Sequence, residues 1–465
     1  MKRIFLIKTM ILFILPFLGV AQQDSILNLS LTEAIEYAKT NNLTLKNAQL
    51  DIESAEKKVW ETTAIGLPQV NGSLNYQHIP GEIPTFAFGM DSTTAMLYGF
   101  ILESLSSEGY NPSPDLQNRL NAPGQPMTLG VKNSTTYSIT VSQLVFSGEY
   151  IVGLQASKTY LQISKLSHEK QELDLHANVL NSYISILVLE KNLGIIKNSV
   201  KNMELLVKET KMLNQQGFLE STDADQLQIT LNTLVNAEKT IERQKDISYM
   251  LFKILLGADF NTKLLLKDNL DLLYGQLIGK SVSGQFQLTN NIDYKMLDNQ
   301  VKISALSLKR EKTKYLPTIS AFYNYQDKTN KASFDFTINH IIGVNLDVPI
   351  FSSFQRNAQV QQAKIEYQKS LNNQKLLENN LQTQAQQLRF NLESALEKYE
   401  VTKQNVKLSK NVFDNSSKKY KQGMVSSMDL TQANNTYLQA ESDNITALFE
   451  LLQTKIELQK ILNEL

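Results

Sequence analysis

Few residues of this sequence have the types and spacing that enzyme chemistry requires. Residues 275–281 resemble a phosphate-binding loop, but the two glycines are one residue too close together and no strand–loop–helix pattern surrounds them. His168 and His176 have Glu169 and Glu172 nearby, a pattern that suits a surface metal site but is more typical of solvated helix side chains. The sequence therefore predicts no catalytic residues, no metal or cofactor site, and no enzyme.

Composition narrows the class of protein further. The chain has no cysteine, which excludes disulfides, thiolate metal sites and cysteine nucleophiles. Residues 1–21 are typical of a secretory signal, because a basic start with Lys2, Arg3 and Lys8 is followed by an apolar stretch that ends in small residues. Removing those three leaves 43 basic against 46 acidic side chains, a net charge of about −3 that disfavours a nucleic-acid binder. After the signal, we expect no transmembrane helix of roughly 18 or more apolar residues.

Two regions without proline, 127–316 and 350–465, allow long helices. Within them apolar residues alternate at spacings of three and four, which is typical of a coiled-coil seam. The seam of the second region contains Leu381, Ala385, Leu388, Leu392, Ala395, Tyr399, Thr402, Val406, Ser409 and Phe413. The small polar residues of this seam leave two interpretations open. One is a stable coiled coil with some loosely packed layers, and the other is a coiled coil whose weak layers permit sliding between two packings.

The chain is a tandem duplication. Asn41-Asn42, Leu67-Pro68 and Asn75-Tyr76-Gln77 recur 249 residues later, whereas Gln216-Gly217 and the Ser221, Asp223 and Gln226 pattern recur 206 residues later. The difference between the offsets 249 and 206 places 43 extra residues in the first copy, within the segment rich in proline and glycine at 78–132.

Period-two alternation predicts four strands, at about 68–78, 134–145, 317–327 and 334–349. Such alternation is typical of membrane barrel strands but also of any half-buried strand. The expected organisation comprises a signal (1–21), a first repeat (22–257) with an outer-surface insert (78–132) and a helical hairpin (147–256), an equatorial linker (258–284), and a second repeat (285–465) with a hairpin at 352–463.

Four strands per chain cannot close a membrane barrel, and a bilayer tolerates no open strand edge. Two chains would supply eight strands around an interior filled with side chains, whereas three would supply twelve and leave room for a lumen. The polar strand faces, with Asp335, Asn339, Asn345 and Asp347, suit a water-filled interior better than one packed with side chains.

The duplicated order, with its Leu-Pro junctions, the Val348-Pro349-Ile350-Phe351-Ser352 junction and the Gly-x5-Asp turns, resembles TolC-like outer-membrane efflux proteins over essentially the whole mature chain. The resemblance implies an α+β fold in which a coiled-coil α-helical barrel in the periplasm joins a membrane β-barrel, twelve-stranded in a homotrimer. It also implies outer-membrane lipid around the barrel and partnership with a periplasmic adaptor and an inner-membrane RND or ABC transporter.

The function implied is a passive duct of a tripartite efflux or type I secretion system. The alternative is a periplasmic coiled-coil adaptor or structural spacer, whose strands would form a soluble, half-buried sheet. An adaptor usually has a single hairpin flanked by other modules, so two tandem copies with equal seams favour the duct.

Two helix-turn-helix tips are predicted at Gly217 and Gly423, since each glycine ends a long helix before a new helix start. Asp223 and Asp429 follow, and they are either ordinary caps and first-turn acids or, in a trimer, charges around a closing axis. In the related channels such turns contact the adaptor, which makes Gly217 and Gly423 the expected adaptor-contact turns.

The resemblance also implies a periplasmic gate. In that family a tyrosine on the inner long helix contacts the neighbouring turn; the matching residues here are Tyr420, Asp223 and the adjoining Thr222, with Asp429 at the acidic ring. The family's arginine falls at Val425 and its second acidic position at Gln432. A weaker lock without arginine is therefore expected.

Overall fold

The structure is a computed structural model that describes residues 26–87, 92–109, 111, 113–115, 118, 126–128, 130–279, 285–332 and 335–465. The expected signal (1–21), Phe334 of the predicted fourth strand, and Lys280 and Ser281 of the loop-like segment lie outside the described residues. The chain divides into two compact units. The helical unit comprises the described residues of Met1–Glu53, Ile163–Asp298 and Asn372–Leu465, and the sheet unit comprises those of Ser54–Gln162 and Asn299–Leu371.

The first copy contains three short strands, two longer strands and most of the short helices. In chain order its elements are β1 (Ile26–Leu29), α1 (Leu31–Asn41), α2 (Leu43–Ile65), β2 (Gln69–His78), β3 (Thr85–Ala87), α3 (Ser92–Ser107), β4 (Pro126–Thr128), β5 (Asn133–Phe146), α4 (Gly148–Gln215) and α5 (Ser221–Leu256).

The linker and the second copy follow with the same order of long elements. Their elements are β6 (Lys263–Leu266), α6 (Leu270–Gly279), α7 (Ile292–Thr313), β7 (Thr318–Lys328), β8 (His340–Asp347), α8 (Gln355–Lys421) and α9 (Ser427–Leu462), with a 3-10 turn at Leu288–Asn290 before α7. At about 1.5 Å per residue, α4 and α8 are each about 100 Å long.

Helix α4 departs from the expectation that no helix after the signal is apolar enough to span a membrane. Among the described helices it is the one long and apolar enough to cross a bilayer, by length and composition only. Its apolar side chains have another explanation, because Val179, Tyr183 and Ile186 are buried in the core of the helical unit. A helix that buries a seam passes the same hydropathy test as a membrane span.

The duplication is visible in matching hydrogen bonds of the helical unit. The buried Asn42 donates from Nδ2 to the carbonyl oxygen of Leu255 at 2.7 Å, and its Oδ1 accepts from the N–H of Leu45. Asn291 repeats this geometry, donating to the carbonyl of Ile461 at 3.1 Å and accepting from a helix N–H. Each asparagine therefore caps one helix and satisfies a carbonyl at the end of another.

The ends of α5 and α9 also repeat each other. Both helices end in a left-handed residue, Gly257 at φ 71° and Asn463 at φ 59°. Glycine is required at the first position, since a Cβ on Gly257 would lie 2.4 Å from the backbone oxygen of Asn41. The second copy has an asparagine there, the residue that tolerates this conformation best after glycine.

Strand pairing and polar side-chain contacts join β1 and α1 to the linker within the helical unit. Strand β1 pairs in parallel with β6. The fully buried Tyr183 donates from its hydroxyl to Asp268 at 2.8 Å, and the same carboxylate accepts from the N–H of Leu31 at 2.6 Å. Burial, followed by the bond to Asp268, raises the pKa of Tyr183.

The sheet unit contains one antiparallel four-stranded sheet in the order β2-β5-β7-β8. Residues paired across the strands share a face, and the two faces differ in chemistry. One face carries Val70, Leu74, Ile139, Val141, Tyr323, Ile342 and Val344. The other carries hydrogen-bonded polar pairs, including Ser73 with Ser138 at 2.8 Å and Asn324 with Thr140 at 2.7 Å. The sheet therefore has an apolar and a polar side.

One aromatic residue interrupts the polar side, and its neighbour explains it. Phe322 pairs in register with Gly343 of β8. A Cβ on Gly343 would lie 2.6 Å from the ring of Phe322, so the ring covers the surface that the glycine leaves bare. Aromatic side chains compensate strand glycines in this way.

Strand β8 begins at His340, later than the alternation suggested. Asp335 accepts hydrogen bonds from both the N–H and the hydroxyl of Thr337, a local turn that competes with strand pairing. Pairing resumes where the N–H of Gln326 donates to the carbonyl of Asn339 at 2.9 Å.

We expect the asparagine caps to be essential to the helical unit. Replacing Asn291 by Ala should lower the free energy of unfolding by about 1–3 kcal/mol, because a cap is lost and the buried carbonyl of Ile461 loses its donor. Thermal unfolding followed by helical circular dichroism should show a lower Tm. The neighbouring exposed Asn290→Ala is the control, and equal Tm values for the two variants would contradict the assignment.

Candidate functional site

The tips of the two helical hairpins are built alike. Two residues after the end of α4 lies Gly217 (φ 78°), and two residues after the end of α8 lies Gly423 (φ 72°), both in the left-handed conformation. In each, the glycine N–H bonds back three residues and the next N–H bonds back five: Phe218 to Leu213 at 2.9 Å, and Met424 to Lys419 at 2.9 Å. This is the Schellman motif that ends helices. The expected turns therefore have identical backbone geometry in both copies.

Beyond the turns the two copies differ in their caps. Ser426 forms a capping box with Asp429, whose carboxylate accepts from the Ser426 N–H at 3.1 Å and from its hydroxyl at 2.8 Å. These bonds lower the pKa of the exposed Asp429. In the first copy the N-cap is Glu220, which makes no side-chain cap hydrogen bond. The structure thus gives Asp429 a capping role.

Asp223 has a partner in the other hairpin instead. Its carboxylate accepts a hydrogen bond from the hydroxyl of Ser427 at 2.5 Å, which joins the first turn of α5 to the first turn of α9. Thr222 lies beside it on the exposed surface, and its hydroxyl donates to Glu220 at 3.2 Å. Sequence reasoning missed Ser427, although it lies at the position that repeats Ser221.

Tyr420 lies under the second turn and is buried. Its hydroxyl is 3.0 Å from the hydroxyl of Thr210 on α4. The resemblance implies Asp223 as the gate partner of Tyr420; within the single chain the contact of this hydroxyl is Thr210. Burial raises the pKa of Tyr420, with a smaller contribution from the negative charge of Asp223, so the hydroxyl stays protonated.

An apolar cluster formed by the four long helices α4, α5, α8 and α9 supports these contacts near the tips. Its buried members are Val200, Met203, Leu206, Val207, Leu227, Leu234, Tyr420 and Leu430. Val425, the residue at the position of the family's arginine, packs against this cluster. An apolar side chain there contributes packing and offers no charge to Asp223 or Asp429.

The tip surface itself is apolar. Phe218 is 74% exposed, Met424 69% and Met428 70%. The first two follow the glycines at equivalent positions of the two turns. Each hairpin therefore presents a large flexible or aromatic side chain at its end.

The other candidate residues are not brought together as a site. Glu172 forms an ion pair with Lys39 at 3.0 Å, and burial lowers the pKa of His176. No group of three or more potential metal ligands occurs among the described residues. Gly275 lies within helix α6, so the loop-like segment has helical geometry where it is described.

Comparison with known proteins defines the class of fold. CusC, described in terms of transmembrane channel formation, is similar with a TM-score of 0.73 and 14% identity, over 96% of this chain and 95% of that one. The outer membrane channel CmeC of Campylobacter jejuni has a TM-score of 0.70 and 15% identity, over 93% and 85% of the chains. The outer membrane protein VceC of Vibrio cholerae has a TM-score of 0.68 and 14% identity, over 93% and 95%. At this identity the likeness shows the fold, which is that of outer-membrane channels.

A family model supports the same assignment from the sequence. Residues 306–464 match the family described as outer membrane efflux protein. No curated protein matches the chain. The predicted fold class, with long helices, a four-stranded sheet and an internal duplication, is confirmed, and so is the resemblance to TolC-like outer membrane efflux proteins. These findings favour the efflux channel over the adaptor or spacer.

We expect the Tyr420–Thr210 contact to hold the two long helices together near the tip. Tyr420→Phe should increase local opening by about 1 kcal/mol, or roughly fivefold, because one buried hydrogen bond is lost. Thr210→Val should have a similar effect, and the double variant should add little to either. Hydrogen exchange of tip peptides measured by mass spectrometry tests this.

The matched control for this cycle is Thr436→Val, since that hydroxyl bonds only to its own helix, at the carbonyl of Gln432. Exchange rates that are additive in the double variant would mean that the two hydroxyls act independently.

Proposed function

We propose that this chain is the outer-membrane channel of a tripartite efflux or type I secretion system, and that three copies form the duct. The observation that carries the proposal is the four-stranded sheet with free edges at β2 and β8 and with one polar face. Lipid cannot satisfy the main-chain groups of an open edge, so an edge strand in a bilayer must pair with another copy.

Three copies suit the chemistry of the sheet better than two. Twelve strands enclose a lumen, whereas eight leave an interior that side chains fill. The polar face, with Ser73, Ser138, Thr140 and Asn324, would line water, and the opposite face, with Val70, Ile139 and Ile342, would contact lipid. Under this proposal the barrel lies in the outer membrane and the helical unit lies in the periplasm.

The tip contacts form the gate under this proposal. Ser427–Asp223 and Tyr420–Thr210 both tie the second hairpin of a chain to its first hairpin. Separation of the hairpin tips would break both contacts, as opening requires. Thr222 lies next to Asp223 on the same turn and belongs to the same gate.

Asp429 is the candidate for the charged constriction. Three copies about a shared axis would form an acidic ring, and each pair of carboxylates at roughly 7 Å would cost on the order of 2 kcal/mol at an effective dielectric of about 20. Capping hydrogen bonds lower the pKa of Asp429, so the carboxylate remains ionised at neutral pH. The ring would attract cations and favour opening.

The turns at Gly217 and Gly423 are the proposed contact with a periplasmic adaptor. Phe218 and Met424 give these turns exposed apolar side chains, the kind of surface that marks protein interaction sites. The adaptor would connect the duct to an inner-membrane RND or ABC transporter, which would supply the energy.

The assembly is tested by isolating the protein from outer membranes in mild detergent. Light scattering should give a trimer, and addition to planar lipid bilayers should give discrete conductance steps. A monomer that forms no conducting pore would contradict the duct and favour the adaptor or spacer instead.

The acidic constriction is tested by Asp429→Asn. Removal of the ring charge should reduce cation selectivity and block by divalent cations in single-channel recordings. The control is Asp443→Asn, an exposed charge farther along α9. If both variants keep the selectivity of the wild type, Asp429 does not lie at the constriction.

A further inference from the structure

The insert of the first copy contains an apolar helix whose large side chains are exposed among the described residues. On α3, Met96 is 78% exposed, Phe100 77% and Leu97 61%. Three further large apolar residues of this helix are also exposed: Tyr98, Ile101 and Leu105. The insert has no counterpart in the second copy, so the channel fold itself does not require this surface.

The exposed residues cover more than half of the helix circumference. At about 100° per residue, Met96, Phe100 and Leu97 lie on one side and Ile101, Leu105 and Tyr98 continue around to the other. Glu103 is the single charged residue of the helix. A helix that is apolar on most of its sides is normally buried in the working form of a protein.

A lipid surface is a poor partner for α3. Helices that lie in a membrane interface confine their apolar residues to one face and carry Lys or Arg on the other, and α3 has neither property. A membrane span needs about 20 residues, whereas α3 has 16. The absence of basic side chains instead suits a neutral, apolar protein surface such as another copy of the same helix.

The chain carries α3 to a defined end of the sheet. Strand β2 follows α2 and β5 leads into α4, so the insert leaves the opposite end of these strands, where His78 pairs with Asn133. The N–H of Ile79 donates to the carbonyl of Lys132 at 2.8 Å, which closes the base of the insert. Strands β3 and β4 pair as a stem on either side of α3.

The stem connects α3 to an edge strand that itself needs a second copy. Strand β2 pairs with β5 on one side and lies at the edge of the sheet on the other. In a barrel shared by several copies, each β2 borders a neighbouring chain, and each chain brings one α3 to the same mouth. The α3 helices of the copies would therefore meet at the mouth where the copies adjoin.

We infer that the α3 helices of neighbouring copies pack against one another across the outer mouth of the shared barrel and form an apolar lid. This inference rests on the proposed duct, because it needs several chains around one lumen. The contact would bury Met96, Leu97 and Phe100 and would hinder the passage of ions until cargo separates the helices. With almost no charge in the contact, closure should change little with salt concentration.

The chain has no cysteine, so single cysteines report on α3 directly. Phe100→Cys in the full-length protein in outer-membrane vesicles should form disulfide-linked dimers under mild oxidation. Ser106→Cys, which lies on the side of α3 near Glu103, is the matched control and should crosslink several-fold less. Equal crosslinking of the two variants would overturn the lid.

Conductance provides the second measurement. The double variant Leu97→Asp with Phe100→Asp should raise the basal conductance in planar bilayers several-fold, whereas Ser106→Asp should leave it unchanged. Equal conductance of all three proteins would overturn the lid. Strong quenching by nitroxide-labelled lipid of a fluorophore attached to the thiol of the Phe100→Cys variant would also overturn it, in favour of a membrane contact.

The wild-type protein separates failure of the lid from failure of the duct. If the wild type is trimeric and conducts while Phe100→Cys does not crosslink, the lid is wrong and the duct stands. If the wild type is monomeric and forms no pore, both proposals fail.

Discussion

The main-chain groups at the edges of the four-stranded sheet constrain everything else in this protein. Within the described residues, β2 and β8 each have one paired neighbour, and their other edges face away from the sheet. An apolar outer face suits lipid, and lipid cannot satisfy an open edge. If the sheet lies in a bilayer, as proposed, its edges must pair with strands from other copies of the chain. Assembly of several copies would explain three other features together: the polar face of the sheet, the contacts at the hairpin tips and the exposed apolar surface of α3.

The two copies of the duplicated unit share their buried asparagine caps but differ in the residues that pack along their long helices. Asn42 and Asn291 make the same bonds, yet Met203 and Leu234 of the first hairpin correspond to Ser409 and Ala440 of the second. The smaller residues leave a groove of about 660 Å³ between α8 and α9, with amide and hydroxyl side chains along its walls. The second hairpin thus has less apolar packing to lose, which makes it the easier one to displace when the proposed gate opens.

Sequence patterns predicted the elements that depend on local periodicity. Proline-free stretches and the alternation of three and four gave the long helices, and Leu-Pro junctions with period-two polarity gave the strands. Contacts between distant segments were not accessible in this way. Thr210 and Tyr420 are 210 residues apart and follow no motif, and nothing in the order of residues indicated that Ser427 would reach Asp223. Helix α3 was not predicted either, because the glycine and proline residues around it made the whole insert resemble a loop.

In the proposed duct, the contacts at the tip would have to oppose the acidic ring without the family's arginine. Three ring pairs of Asp429 would each oppose closure by about 2 kcal/mol, and the capping bonds keep these carboxylates ionised. Each Tyr420–Thr210 bond returns about 1 kcal/mol, and each Ser427–Asp223 bond, which has a charged acceptor, returns about 1.5–3 kcal/mol. Both bonds join the two hairpins of a single chain, and over three chains they are of the same order as the ring repulsion. Apolar burial around Leu227, Leu430 and Val425 adds to these bonds, so in the proposed gate the valine at the lock position would contribute packing in place of a charge-based latch.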